Sequence, residues 1–149
     1  MDLVCPAPDE LLDRWLAEDI GRGDLTAAAL QGQQGQAHWV AKQPGRFCGG
    51  PLVQRLFQRL DPGVSVRLLR QDGDAVEAGD CLLELEGPAT ALVAGERTAL
   101  NLAMRLSGIA TATAALVAQL EGTSVRLADT RKTTPGLRLL EKYAVRCEI

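Results

Sequence analysis

The pattern that most restricts the fold lies near the end of the sequence, where a short apolar run precedes a polar loop and an amphipathic segment. Residues 125–128 are predicted to form a compact buried strand and residues 137–145 a helix. A strand, a loop and a helix in this order form the unit with which an α/β barrel begins. The sequence therefore predicts the first strand and helix of such a barrel here.

The preceding part of the chain shows a different pattern, in which helices alternate with short strands. Apolar residues recur with helical spacing in two segments and alternate with polar residues in others. The predicted elements are helices at 9–18 and 51–60 and strands at 37–42, 64–68 and 82–86. Residues 90–121 are predicted as two helices that break near Ser107 and Gly108, because serine and glycine weaken a helix.

These elements predict two regions. Residues 1–108 are expected to form an α+β N-terminal domain, a sandwich in which helices cover a mixed sheet, and residues 109–149 the start of an α/β barrel. A complete barrel needs about 250 residues, whereas the sequence has 149. We therefore expect the barrel to be incomplete, with the first strand lacking its parallel neighbours.

Composition and charge exclude several function classes. Sixteen basic against 19 acidic residues give a net charge of −3, which predicts no nucleic-acid and no membrane-surface partner. The first ten residues lack the order of a signal peptide, and no apolar run approaches the ~20 residues that a membrane span requires. A cytoplasmic location is expected.

The cysteines are too widely spaced to predict a metal site. Cys5, Cys48, Cys81 and Cys147 form no Cys-x-x-Cys pair, and His38 is the single histidine. Reduced thiols that are buried or incidental are expected, and no metal ligand is predicted in this chain.

The loop at 129–138 contains the side chains best suited to binding an anion. Arg131 offers a planar fork of donors, Lys132 a mobile charge and Thr130 a hydroxyl group, all suited to a carboxylate or phosphate. With Thr134 as helix cap and the following proline at the first helical position, backbone N–H groups would face the same anion. The alternative is that these cations only decorate a solvated loop.

Four ordered strings decide between these interpretations by resemblance. They are EDIGRGDLT at 18–26, ERTALN at 96–101, RLSGIAT at 105–111, and DTRKTTPGLR at 129–138 followed by LEKYAVRC at 140–147. In order and spacing the sequence resembles the quinolinate phosphoribosyltransferases over essentially its whole length. The resemblance implies an enzyme of NAD biosynthesis that joins quinolinate to phosphoribosyl pyrophosphate, releasing pyrophosphate and CO2 to leave nicotinate mononucleotide, with Mg²⁺ assisting.

The resemblance also assigns roles to residues. Thr130, Arg131 and Lys132 match the family's positions for quinolinate carboxylates and phosphate, and Lys132 is the expected catalytic residue. Arg97 matches an arginine that crosses a homodimer interface into the partner's site, which makes 1–108 a dimerisation domain as well. The plainer interpretation of Arg97 is a surface ion pair with Glu96.

The family pattern continues beyond what this sequence contains. Family members follow the position of Cys147 with a glycine-rich turn, an Asn-His-Arg motif, a lysine and magnesium-linked acids, whereas this sequence reads Glu148 and Ile149. The expectation is a fragment or truncated product that is inactive alone. Lys142 and Arg146, one helical turn apart, are expected to be structural more often than substrate-binding.

Three alternatives stay open on the sequence. A molybdenum-utilisation protein of similar fold shares the GDLT and TRK patterns. A lipoyl-like carrier module shares the turn at 73–79, but residues 87–90 offer no lysine at a hairpin tip. A non-catalytic dimerisation fragment would pair with a full-length subunit and contribute Arg97 to it.

Overall fold

The structure, a computed structural model, describes residues 6–149, so Cys5 lies outside the described residues. Helices and short strands alternate up to residue 88, and helices follow. In chain order the elements are α1 (Asp9–Ile20), α2 (Leu25–Ala28), β1 (Gln34–Val40), β2 (Gly45–Arg46), α3 (Gly50–Leu60), β3 (Ser65–Leu68), β4 (Ala75–Val76), β5 (Cys81–Pro88), α4 (Ala89–Gln119) and α5 (Arg138–Arg146).

The sheets are antiparallel. β5 lies between β1 and β3 in a three-stranded sheet, and β2 pairs with β4 in a separate two-stranded sheet. Within residues 6–149 the predicted α+β class is confirmed, but the sheets are antiparallel and not mixed. Each pairing runs antiparallel, whereas a parallel pair needs a crossover connection that returns the chain in the same direction.

The helices predicted at 9–18 and 51–60 are confirmed as α1 and α3, and their apolar faces pack in one core. Leu12 and Leu16 of α1 are buried, as are Leu52, Leu56 and Phe57 of α3. The short helix α2 is capped by Asp24, whose carboxylate accepts hydrogen bonds from the backbone N–H groups of residues 26 and 27 at 2.8 and 3.0 Å.

The predicted break near Ser107 and Gly108 is wrong, since α4 continues through both residues. The Ser107 hydroxyl exchanges hydrogen bonds with the backbone of Cys48, accepting from its N–H at 3.0 Å and donating to its carbonyl at 3.1 Å. Gly108 faces open space and costs a helix only about 1 kcal/mol relative to alanine. Packing on one side of α4 outweighs that local cost.

The hydrophobic core extends along α4 past residue 108. Ala99, Ala103, Leu106 and Ala110 are buried against the earlier elements, and α5 adds Leu140, Tyr143 and Ala144 to the same cluster. By length and composition alone α4 is also long and apolar enough to cross a membrane, as the core helix of a soluble protein can be. Its alanine-rich second half supplies that apolar character, while the buried side chains named above serve the core.

The predicted strand at 125–128 is absent. These residues have no regular structure, and Val125 is 60% exposed. A strand needs a neighbour to accept its backbone hydrogen bonds, and within residues 6–149 no strand lies beside this segment. The predicted helix that follows is confirmed as α5, which packs on α4.

A cluster of two thiols, a carboxylate and a phenol ties the end of α5 to the start of α3. We call Cys48, Asp72, Tyr143 and Cys147 the thiol–carboxylate cluster. Asp72 Oδ1 accepts hydrogen bonds from the N–H groups of residues 49 and 50, both at 2.9 Å, and Tyr143 Oη donates to Asp72 Oδ2 at 2.6 Å. Burial, and then the adjacent Asp72, raises the pKa of Tyr143 far above its usual range, so the phenol stays a donor.

Candidate functional site

A cavity of about 360 Å³ lies where α4, α5 and the loop between them meet. It contains more charged and hydroxyl side chains than apolar ones. The lining residues are Arg105, Ile109, Asp129, Thr130, Lys132, Thr133, Thr134, Glu141, Lys142 and Val145. Three of them are cationic and two are acidic, so the lining carries a formal charge of 3 − 2 = +1.

Arg105 is anchored by Glu141. Arg105 Nε donates to Glu141 Oε1 at 3.0 Å, Nη2 of the same guanidinium donates to that oxygen and to Thr134 Oγ1, and the Thr134 N–H donates to Glu141 Oε2 at 3.0 Å. Burial acts to raise the pKa of Glu141, but the hydrogen bonds from Arg105 and Thr134 outweigh it and hold this pKa below its usual value. Glu141 is therefore ionised at neutral pH.

This arrangement overturns the predicted helix cap. The Thr134 N–H, expected to face an anion at a helix N-terminus, is bound by the Glu141 carboxylate. Residues 134–137 form a turn in which the Leu137 N–H donates to the Thr134 carbonyl at 3.0 Å, and α5 begins only at Arg138. The protein's own carboxylate occupies the position in which an external anion was predicted.

Lys132 is the cation of the cavity that is available to a ligand. Its backbone N–H donates to Thr130 Oγ1 at 3.1 Å, and both residues line the cavity. Within residues 6–149 the Lys132 ammonium group forms no ion pair, whereas Lys142 Nζ lies 2.6 Å from Asp129 Oδ1. An incoming anion would thus meet one cation that has no competing carboxylate.

Arg131 lies beside the cavity, not in its lining. It is exposed, and its backbone carbonyl accepts a hydrogen bond from Arg138 Nη2 at 3.3 Å. Arg138 Nε also donates to Thr133 Oγ1 at 3.0 Å. Arg138 therefore holds the loop in place, a role that the sequence did not indicate.

Arg97 lies well away from the cavity. It is on α4 eight residues before Arg105, about 12 Å along the helix axis at 1.5 Å per residue. Its guanidinium group is 3.2 Å from both Asp19 and Asp24, and its side chain is 64% exposed. Arg97 pairs with these two acids and not with Glu96, the partner expected from the sequence. Within one chain, Arg97 does not line the cavity that contains Lys132.

A larger groove of about 540 Å³ lies on the exposed face of the three-stranded sheet. Its residues include Arg67, Glu84 and Glu86, and Arg67 is ion-paired with Glu84. Among residues 6–149, the only lysine or arginine that lines this groove, Arg67, is already paired with a carboxylate. The smaller cavity is therefore the better candidate for binding an anion.

The Arg105–Glu141 pair makes a pH-dependent contribution to stability. Because the pKa of Glu141 is lowered on folding, this contribution is complete above the carboxyl's ordinary pKa of 4.5 and is lost as pH falls through the lowered value. Glu141→Gln should cost about 1–2 kcal/mol at pH 7, the scale of a hydrogen bond to a charged group. The difference from the unmodified chain should shrink below about pH 4. Urea unfolding between pH 7 and 3 checks this, and a difference that stays constant would contradict it.

Comparison with known proteins identifies the family. The family model described as "Quinolinate phosphoribosyl transferase, N-terminal domain" matches residues 24–107, and the corresponding C-terminal domain model matches residues 109–148. The chain belongs to the quinolinate phosphoribosyltransferase family. It is 49% identical over 138 residues to a probable nicotinate-nucleotide pyrophosphorylase of Bacillus subtilis and 50% identical over 139 residues to one of Synechocystis.

Solved structures agree in fold. NadC from Streptococcus pyogenes superposes with a TM-score of 0.93 at 39% identity, covering 99% of this chain and 53% of that one. The nicotinate-nucleotide pyrophosphorylase from Francisella tularensis gives 0.90 at 35% identity, covering 99% and 55%. The alignments cover 92% and 93% of this chain but 48% and 47% of the two curated relatives. The chain therefore spans about half the length of the curated relatives it matches.

Proposed function

We propose that this chain supplies the quinolinate-binding part of a quinolinate phosphoribosyltransferase, an enzyme that converts quinolinate and phosphoribosyl pyrophosphate to nicotinate mononucleotide, pyrophosphate and CO2 in NAD biosynthesis. The observation that carries the proposal is Lys132, a cation without an ion-pair partner within residues 6–149, in a cavity of net positive charge. The family match and the names of the relatives support the same reaction.

The side chains around the cavity suit a dicarboxylate. Lys132 can pair with one carboxylate of quinolinate, and the Thr130 hydroxyl, whose oxygen accepts the Lys132 N–H, keeps its own proton to donate. Arg105 is held in place by Glu141, so its guanidinium group is already ordered, although that carboxylate offsets its charge. In this proposal Lys132 is the catalytic residue because it contacts the substrate, and Arg131 meets a phosphate at the edge of the cavity.

Lys132→Met should weaken quinolinate binding at least tenfold, because it removes the cation that has no competing carboxylate. Tenfold in Kd corresponds to about 1.4 kcal/mol. Isothermal titration of the chain with quinolinate measures the effect, and circular dichroism checks that the variant is folded.

Lys42 provides the matched control, since it is exposed and absent from the cavity lining. Lys42→Met removes the same charge and should leave the affinity unchanged. Equal affinities for all three proteins, or equal losses in both variants, would refute the role of Lys132.

A homodimer in which Arg97 acts across the interface belongs to the same proposal. The exposed position of Arg97, away from the cavity of its own chain, supports a contribution to another chain's site. Mixing the chain that carries Lys132→Met with one that carries Arg97→Ala should restore quinolinate binding to part of the population, because some dimers then contain one intact site. Binding that is no better in the mixture than in either variant would contradict this.

The described residues do not fit the Mg²⁺ that the resemblance implies. Within residues 6–149, the group of side chains close enough to share an ion is Cys48, Asp72 and Cys147, and thiols are poor ligands for a hard cation. Asp129, in the cavity lining, is paired with Lys142. The participation of Mg²⁺ in the family's reaction remains part of the proposal, as does a cytoplasmic location.

A further inference from the structure

The thiol–carboxylate cluster has the dimensions of a metal site. Cys48 Sγ lies 3.9 Å from Cys147 Sγ and 3.8 Å from Asp72 Oδ2, and the ligand atoms of all three residues lie within 4.8 Å of one another. Around a tetrahedral zinc ion, bonds of ~2.3 Å to sulfur and ~2.0 Å to oxygen place two sulfurs about 3.8 Å apart and a sulfur and an oxygen about 3.5 Å apart. The two distances within the cluster are within a few tenths of an ångström of these values.

Asp72 is already oriented as a ligand would need to be. The N–H groups of residues 49 and 50 hold Oδ1, and the Tyr143 hydroxyl holds Oδ2 from one side. An ionised carboxylate has about four acceptor positions, and the fourth accepts the Cys48 thiol at 3.8 Å. That position would become available to a cation when the Cys48 thiol loses its proton to bind the same ion. Outer hydrogen bonds of this kind fix the ligands of metal sites in proteins.

The backbone around the cluster is equally fixed. Gly49 has a φ of 112°, a conformation that favours glycine, and a side chain there would come within 3.2 Å of the Ala103 backbone. This close packing against α4 sets the position of Cys48, which is fully buried, while Cys147 is half-buried and gives an ion a route from solvent. The site is thus built on packed elements and has one accessible edge.

We propose that Cys48, Asp72 and Cys147 bind one Zn²⁺ ion, with a water molecule as fourth ligand. Two thiolates and a carboxylate suit zinc better than Mg²⁺ or Ca²⁺, because thiolates are soft ligands. Binding releases the thiol proton of each cysteine that is protonated beforehand. The total ligand charge of −3 is reduced to −1 by the ion.

A bound ion would also stabilise the anion cavity. Cys147 directly follows α5, which carries Glu141 and Lys142, whereas Cys48 lies between β2 and α3 and Asp72 lies between β3 and β4. Zinc would therefore join the helix that lines the cavity to the N-terminal part of the fold. The proposal stands independently of which substrate the cavity binds.

The test uses the whole chain, kept reduced with a phosphine reductant, and Co²⁺ and Zn²⁺ as probes. Co²⁺ should bind at one equivalent and give the thiolate charge-transfer absorption, and Zn²⁺ should displace it. Cys48→Ser and Cys147→Ser should each lower Zn²⁺ affinity at least tenfold. Cys81→Ser is the matched control, because Cys81 lies outside the cluster, and it should bind as the unmodified chain does.

A second measurement, on the unmodified chain, tests the site even if the cluster variants fold poorly. In the unmodified chain, saturating Zn²⁺ should raise Tm and protect two thiols from alkylation, since an ion that binds the folded state stabilises it. The proposal is overturned if no thiolate–Co²⁺ band appears or if Zn²⁺ affinity is unchanged in both cluster variants. It is also overturned if Zn²⁺ gives the two thiols no protection from alkylation and only a disulfide, formed with oxidised glutathione, protects them.

Discussion

Asp72→Ala is expected to lower the free energy of unfolding by about 3–5 kcal/mol, one of the two largest losses that we predict for a single substitution in this chain. The Asp72 carboxylate accepts three hydrogen bonds of 2.9 Å or less, two from the backbone at residues 49 and 50 and one from Tyr143, and a longer one of 3.8 Å from the Cys48 thiol. Hydrogen bonds to charged groups contribute about 1.5–3 kcal/mol each, and relaxation around alanine recovers part of the sum. Urea unfolding followed by tryptophan fluorescence, with a chelator present, measures the change.

Matched variants separate the contribution of these hydrogen bonds to the free energy of unfolding from that of the lost charge. Tyr143→Phe removes one of the three hydrogen bonds and should cost about 1–2 kcal/mol, and Asp72→Asn, which keeps an acceptor oxygen, should fall between the two. Glu77→Ala removes an exposed acid from the same turn-rich region and should change stability by less than about 0.5 kcal/mol. An Asp72→Ala loss no greater than that of Glu77→Ala would show that the carboxylate does not hold the fold together.

Phe57→Ala should cost about 3–5 kcal/mol, because it empties the centre of the core. Phe57 is 1% exposed and belongs to the cluster that joins α3 to α4. Its ring lies against Gly95 so closely that a Cβ at residue 95 would be 2.7 Å from Cε1 of the ring. The same unfolding measurement tests this substitution.

The contact between Phe57 and Gly95 gives a stricter control. Gly95→Ala alone should be destabilising by about 1–3 kcal/mol through overpacking. In combination with Phe57→Leu, which withdraws the ring atoms, Gly95→Ala should cost less than it does alone. Strict additivity of the two substitutions would mean that the ring is not what excludes a side chain at residue 95.

The sequence predicted the elements whose signals are local. The apolar spacing of α1, α3 and α5 was enough to find them, because each buries one stripe of a helix. The continuity of α4 was not predictable, because the Ser107 hydroxyl is satisfied by Cys48, 59 residues earlier in the chain. The segment at 125–128 has the apolar pattern of a strand, but a strand also requires a paired neighbour, which a local pattern does not reveal.

The candidate site was predicted only in part for the same reason. Thr130 and Lys132 lie together in one loop, and the structure places both in the cavity lining. Arg105 begins the RLSGIAT motif at 105–111, but its partner Glu141 is 36 residues away. No pattern in the sequence predicts that these two residues are paired. The helix cap at Thr134 was predicted wrongly because Glu141 takes its N–H.

The uninterrupted course of α4 has a consequence for how the chain folds. The N-terminal and C-terminal family models meet at residue 108, within this helix, so its i to i−4 hydrogen bonds cross the border between them. Breaking the helix there would also expose the buried Leu106 and Ala110 on either side. We therefore expect the two matched regions to unfold together as one cooperative unit.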